Sequence, residues 1–133
     1  MKPNKFFQCK CTADSFYRAW LEFLTPYHKL TAREKDVAAR IMTQYFKIRN
    51  TTSDPEMVKA VLWTKESRGD MMRSLGMSQE HFQIVLAKLR RAGVLVDGGI
   101  NPKFIPDKTD NPFFVLEIVF DWSSKSNPVR NVS

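Results

Sequence analysis

The sequence predicts a mainly helical α+β fold, with about five helices and a short C-terminal β-hairpin or strand. Helix-capping residues and apolar positions at helical spacing recur through residues 15–92. The composition then changes, because Val94, Leu95 and Val96 favour a strand and a glycine pair follows them. The chain has 133 residues, 43% of them hydrophobic, so we expect one domain with a substantial core.

The first helix is predicted over residues 15–24, with Asp14 or Ser15 as its cap. Thr25-Pro26 should end it, because the residue before a proline avoids helical geometry. The residues of its apolar stripe are expected to face the core: Phe16, Ala19, Trp20, Phe23 and Leu24.

A second helix opens with the capping box T-x-x-E of Thr31 and Glu34 and continues to about Arg49. A third starts after a polar linker, with Asp54 as cap and Pro55 at the first helical position. The third helix is predicted to bury four apolar residues: Met57, Val58, Val61 and Leu62.

Residues 70–103 hold the pattern around which the rest of the chain is organised. A short helix beginning at Lys65 or at about Asp70 leads to a turn at Gly76-Met77. Ser78 then caps another helix, which Gly93 closes by adopting the left-handed conformation. After the strand residues, Gly98-Gly99 fits a two-residue hairpin turn.

The helix that Ser78 opens is predicted to be amphipathic. Its apolar face comprises Phe82, Val85, Leu86 and Leu89. Another face carries Gln79, Gln83, Ala87 and Arg91, and Lys88 and Arg90 flank the last turn. The last turn is where cations interact favourably with the helix dipole.

The order of these parts resembles a winged helix-turn-helix domain, and in particular the small helix-turn-helix proteins of tailed bacteriophages. In that family the second helix lies on DNA and the hairpin touches the backbone. Glutamine can bond adenine edges, and lysine or arginine can reach guanine or phosphate. The resemblance therefore implies a non-enzymatic DNA-binding protein, a regulator or accessory protein, with these contact residues: Gln79, Gln83, Lys88, Arg90, Arg91 and Lys103.

The charge is compatible with this interpretation. The formal net charge is +7, which favours polyanionic partners, nucleic acid first among them. From Lys65 to Lys103 there are seven Lys or Arg and four Asp or Glu, a net charge of +3. The remaining positive charge is spread over the rest of the chain, so it does not concentrate on the predicted motif.

The phage proteins that the chain resembles also include virion components, which implies an alternative function as a structural or adaptor subunit. We divide the chain into an N-terminal strand or arm (1–12), a winged-helix body (13–106), a C-terminal strand (107–122) and a polar tail (123–133). The strand contains FFVLEIVF and could add to a partner chain or to a second copy. The two functions imply the host cytoplasm and the virion, respectively.

Several function classes have little support in the sequence. There is no phosphate-binding glycine loop and no nucleophile motif, so we expect no enzyme and no cofactor. Cys9 and Cys11 would need two further zinc ligands, and His28 and His81 lie far apart, so no metal is expected. No run of 18 apolar residues and no signal peptide occur, so we expect an intracellular protein without a membrane span or small-molecule substrate.

Overall fold

The computed structural model describes residues 10–12, 15–106 and 121–123. Within them lie six α-helices and one two-stranded antiparallel sheet, so the predicted mainly helical α+β class is confirmed. The elements are α1 (Phe16–Phe23), α2 (Thr25–His28), α3 (Ala32–Arg49), α4 (Pro55–Leu62), α5 (Lys65–Leu75), α6 (Gln79–Arg91), β1 (Leu95–Val96), β2 (Gly99–Ile100) and a 3-10 helix (Pro102–Phe104).

Helix α3 lies at the centre of the fold, because it contacts α1, α4, α5 and α6. Its residues Val37, Ile41 and Met42 are almost completely buried. Burying one such side chain contributes about 1.5–3 kcal/mol relative to leaving it exposed. The surrounding helices supply further fully buried core residues: Leu21, Val58, Leu62, Met71, Phe82 and Leu89.

The predicted starts of α3 and α4 are confirmed by their hydrogen bonds. The Glu34 N–H donates to Thr31 Oγ1 (3.3 Å), and the Thr31 N–H donates to Glu34 Oε1 (3.0 Å), which completes the capping box. At α4 the Glu56 N–H donates to Asp54 Oδ1 (3.1 Å), and Pro55 occupies the first turn. Each cap satisfies an amide of the first turn that has no partner within the helix.

The predicted apolar stripe of α1 is right in part, because Phe16, Trp20 and Leu24 pack against the core. The buried residues are Tyr17 and Leu21, whereas Phe23 is half exposed. The Tyr17 ring stacks on the Phe46 ring of α3, with centroids 5.2 Å apart, so the most deeply buried side of α1 includes a residue outside the predicted stripe. Helix α1 does end before Pro26, but the chain continues into the single turn of α2, since proline fits a first turn.

The predicted buried side of α4 is half right. Val58 and Leu62 are buried, but Met57 and Val61 are 50% and 36% exposed. Helix α4 has only eight residues and packs along one narrow side against α3 and α5, so a wider apolar stripe is not covered. Two adjacent apolar side chains therefore remain on the surface of α4.

Helices α5 and α6 form the predicted pair joined by a short turn. Helix α5 begins at Lys65, where the Ser67 N–H donates to Thr64 Oγ1 (3.2 Å), so the earlier of the two possible starts is correct. Gly76 ends α5 in the left-handed conformation, with φ of 62°. Helix α6 starts where the His81 N–H donates to Ser78 Oγ (3.2 Å), as predicted.

The hairpin after α6 turns one residue earlier than predicted. Its turn residues are Asp97 and Gly98, with φ of 51° and 77°, instead of Gly98 and Gly99. Two successive positive φ values and an Asp-Gly pair are typical of a type I′ turn. The observed register pairs Leu95 with Ile100, and both are buried. A one-residue shift would break this pairing, because alternate strand residues point to opposite faces.

The chain after the hairpin returns to α1. Phe104 is buried, and its carbonyl oxygen accepts a hydrogen bond from Trp20 Nε1 (2.8 Å). No described helix has both the length and the apolar composition needed to cross a membrane. Cys9, most of the predicted arm 1–12, most of the strand 107–122 and nearly all of the tail 123–133 lie outside the described residues.

His28 is a buried histidine at the joint between α2 and α3. Its Nε2 donates to the Leu21 carbonyl oxygen (2.8 Å), and its Nδ1 accepts from the Leu30 N–H (3.0 Å). The ring therefore carries one proton and is neutral, because a protonated Nδ1 could not accept. Burial lowers the pKa of His28 below 6.5; the Leu21 carbonyl and Glu22 act in the opposite direction, and Lys35 adds to the lowering.

We expect the fold to lose stability on mild acidification because of His28. Its folded pKa lies below its unfolded value of 6.5, so the unfolded state binds more protons as the pH falls through this region. Urea unfolding at about pH 7.5 and about pH 5.5 should show a decrease in unfolding free energy, at most about 1.4 kcal/mol per pH unit. The His28→Gln variant should lose less over the same interval; an equal loss would contradict this account.

Two Gly→Ala substitutions in α5 and its turn should change stability in opposite directions. Gly76→Ala should cost about 1 kcal/mol because φ is 62°, and no atom lies within 4 Å to add a clash. Gly69→Ala should gain about 0.5–1 kcal/mol, since Gly69 is inside the helix and its new Cβ would meet only the Arg73 guanidinium at 3.6 Å. Unfolding free energies in urea measure both; shifts of the same sign would refute the conformational explanation.

Candidate nucleic-acid interface

The orientation of α6 is determined by its apolar face. Phe82, Val85, Leu86 and Leu89 are all buried, as the sequence predicted. They pack against the core around α3, so the opposite side of the helix must face solvent. Gln83 and Ala87 are half-buried. The remaining α6 residues are exposed: Gln79, Glu80, His81, Ile84, Lys88, Arg90 and Arg91.

The predicted contact residues on α6 do not share one face. With 3.6 residues per turn, Gln79, Gln83 and Arg90 lie within about 40° of one another around the helix axis. Arg91 lies about 80° from Gln83, near the centre of the solvent side. Lys88 lies about 140° from Gln83, on the other flank of the helix. The structure therefore separates the predicted set into a glutamine-rich flank, a central arginine and a lysine on the far flank.

Lys88 is held by the body of the protein. Its Nζ lies 3.3 Å from Oε2 of Glu34, the carboxylate whose other oxygen completes the capping box of α3. The Thr31 backbone N–H lowers the pKa of Glu34; burial opposes this effect and Lys88 reinforces it. The ion pair joins the start of α3 to α6. The Lys88 charge is therefore already paired within the protein and helps to position α6.

Arg90 and Arg91 are exposed like Lys88, but they differ from it because no carboxylate pairs with them among the described residues. Within the described part of the chain, neither side chain makes a hydrogen bond or an ion pair. Some cations of the body are paired with carboxylates, as Arg18 is with Glu22 and Asp36, whereas the exposed Lys29, Lys47 and Lys65 have no such partner among the described residues. The end of α6 thus presents two guanidinium groups that can bind an external anion.

Ile84 is a surface residue that the sequence reasoning left without a role. It is 57% exposed and lies near the middle of the solvent side of α6, close to Arg91 and Ala87 around the axis. The signal was present in the sequence, because Ile84 lies off the apolar stripe that contains Phe82 and Val85. An isolated exposed isoleucine is common, but here it is surrounded by polar residues of the candidate interface.

The hairpin is tied to α4. Trp63 Nε1 donates to the Gly98 carbonyl oxygen (2.7 Å), and the Lys59 side chain passes close to Gly99. The tip of the hairpin carries the Asp97 carboxylate, not a cation. The predicted contact residue Lys103 is exposed, but it lies in the 3-10 helix that follows the hairpin.

A small pocket lies where the end of α4, the end of α6 and the hairpin meet. Its volume is about 200 Å³, and its lining residues are Trp63, Arg90, Leu95, Val96, Asp97 and Gly98. The sequence analysis did not identify this pocket and gave Trp63 no role. No local pattern could have revealed it, because three separate segments of the chain form its wall.

The described residues hold no group of three or more His, Cys, Asp or Glu side chains placed to bind a metal ion. No protein-family model, curated protein or solved structure matches this chain. The resemblance to winged helix-turn-helix proteins of bacteriophages therefore stays a prediction.

Proposed function

We propose that the protein is a non-enzymatic, winged helix-turn-helix DNA-binding protein that acts in the host cytoplasm as a regulator or phage accessory protein. The observation that carries the proposal is the pair Arg90 and Arg91, which are exposed and unpaired among the described residues. They lie on a helix whose other side is locked in the core. The net charge of +7 adds a general attraction to a polyanion.

The dimensions of α6 suit the major groove. Its 13 residues span about 20 Å, and the groove is about 12 Å wide. In this arrangement Gln79 and Gln83 reach base edges from one flank, and Arg91 bonds phosphate or guanine from the centre. Ile84 can contact a thymine methyl group, the apolar feature that the major groove offers.

The hairpin and Lys103 have a supporting role in this proposal. The hairpin follows directly from the end of α6, and β1 packs against α6. Backbone amides of this region and the Lys103 ammonium group can bind the flanking phosphates, which position a protein without reading sequence. Lys88 contributes chiefly by holding α6 in place through Glu34.

We expect Arg91→Ala to weaken binding to a 20-base-pair duplex by about tenfold and to reduce the slope of log K against log salt by about 1. Lys47→Ala is the matched control, because it also removes one exposed cation. Lys47 lies on α3 about 20 Å along the helix from Glu34, the residue through which α3 contacts Lys88 of α6. Fluorescence anisotropy at several salt concentrations measures both, and circular dichroism checks that each variant is folded.

Two results of this experiment would overturn the proposal. One is an absence of duplex binding by the wild type even at low salt. The other is an equal effect of Lys47→Ala and Arg91→Ala, which would mean that the whole basic surface attracts DNA without a docking face.

A second candidate function is a structural or adaptor subunit of a phage virion that uses the body for protein–protein docking. The observation in its favour is the exposed pair Met57 and Val61, one helical turn apart on α4, with the exposed Ala60 beside them. Neighbouring exposed apolar side chains can form part of a protein–protein contact.

If α4 is a contact between copies of this chain, the wild type should sediment as an oligomer and the double variant Met57→Gln/Val61→Thr as a monomer. The substitutions lie on the solvent side of α4, so the fold should be retained. Analytical ultracentrifugation over a range of concentrations measures this. If the wild type is monomeric at all concentrations, the hypothesis that copies of the chain associate through α4 is refuted.

A further inference from the structure

The pocket between α4, α6 and the hairpin has the size of a single ring system. Its volume is about 200 Å³. A cavity of about 150 Å³ holds benzene, whereas pockets for drug-sized ligands have volumes of about 300–1,000 Å³. A ligand with one flat ring system and a small substituent fits, and a larger molecule would have to extend into solvent.

The Trp63 indole supplies a flat apolar wall with a fixed orientation. Its Nε1–H is already donated to the Gly98 carbonyl oxygen at 2.7 Å, so the indole offers a ligand its π face and no free donor. Leu95 is a buried part of the lining, and Val96 at the edge is 38% exposed. An aromatic ring can stack on such a wall, as bases do in proteins that bind single strands.

Arg90 and Asp97 place opposite charges on the same pocket. Neither side chain has a partner among the described residues. The Arg90 guanidinium can bond two phosphate oxygens, and the Asp97 carboxylate can accept from an exocyclic amino group such as N4 of cytosine. A carboxylate in the lining would repel an isolated anion, so the pocket favours a ligand that combines an anion with a ring and N–H donors.

We infer that this pocket binds one unpaired nucleotide, with its base stacked on Trp63 and read by Asp97 and its phosphate bonded to Arg90. The inference deepens the proposed function and rests on it where the nucleotide belongs to a DNA strand. Arg90 precedes Arg91 on α6, so the pocket lies at the end of the proposed groove contact. Bases inside a duplex are paired and stacked, so only a strand end or an overhang can enter.

The first experiment uses the single nucleotides dCMP and dTMP. The chain has three tryptophans, and a ¹⁵N–¹H spectrum of the whole protein resolves their indole N–H groups. Trp63→Phe assigns the Trp63 signal. We expect dCMP to shift the Trp63 signal and leave those of Trp20 and Trp122 in place, and dTMP to do so at higher concentration because thymine lacks the amino group.

The second experiment uses a 20-base-pair duplex, either blunt or with a three-cytosine overhang. We expect the overhang to tighten binding about tenfold, equivalent to about 1.4 kcal/mol. Asp97→Asn should abolish the preference for cytosine over thymine overhangs, and asparagine tolerates the left-handed conformation of residue 97. Glu66→Gln is the matched control, since it removes an exposed carboxylate of α5 and should keep the preference.

The outcomes separate the two proposals. The pocket would be refuted, and the proposed function left intact, by three results together. The blunt duplex binds with a normal salt slope, the overhang binds with the same affinity, and the Trp63 signal does not move. A Trp63 shift with dCMP but no binding of either duplex would refute the proposed function and keep the pocket as a site for a free nucleotide. A shift of Trp20 or Trp122 instead of Trp63 would also overturn the assignment.

Discussion

Phe82 and Leu89 are completely buried where α6 joins the core around α3, and this burial determines which side of α6 can meet a partner. Rotating the helix to hide its arginines would expose these two large apolar side chains. Burial of each contributes about 1.5–3 kcal/mol, which is a large part of the stability of a typical small domain. The orientation of the candidate interface is therefore a consequence of core packing.

Glu34 connects this packing to the interface. One carboxylate oxygen completes the cap of α3, and the other lies 3.3 Å from the Lys88 ammonium group. The start of the central helix and the last turns of α6 are thus joined by a single, nearly buried side chain. The hairpin has a comparable attachment, because Trp63 holds the Gly98 carbonyl at the tip. The two parts of the proposed DNA-binding surface are each anchored by a polar contact to the helical body.

The sequence was most informative where the relevant physical signal is local. The capping box at Thr31 and the caps at Asp54 and Ser78 bond amides only two or three residues away, so their residue types predict their positions. The stripe from Phe82 to Leu89 was also predicted correctly, because its four apolar residues recur at regular helical spacing and all of them are buried. The stripe predicted for α1 was only partly correct, because it omitted Tyr17, an amphipathic residue whose ring stacks on Phe46 of α3.

The sequence by itself determined the starts of α3, α4 and α6, the turn between α5 and α6, the presence of a hairpin and the excess of positive charge. Only the tertiary structure decided the hairpin register, the exposure of Met57 and Val61, the ion pair of Lys88 and the pocket beside Trp63. The physical reason is the range of the interactions. A cap or a left-handed glycine depends on neighbours along the chain, whereas burial and ion pairing depend on residues that only folding brings together, such as Trp63 and Gly98.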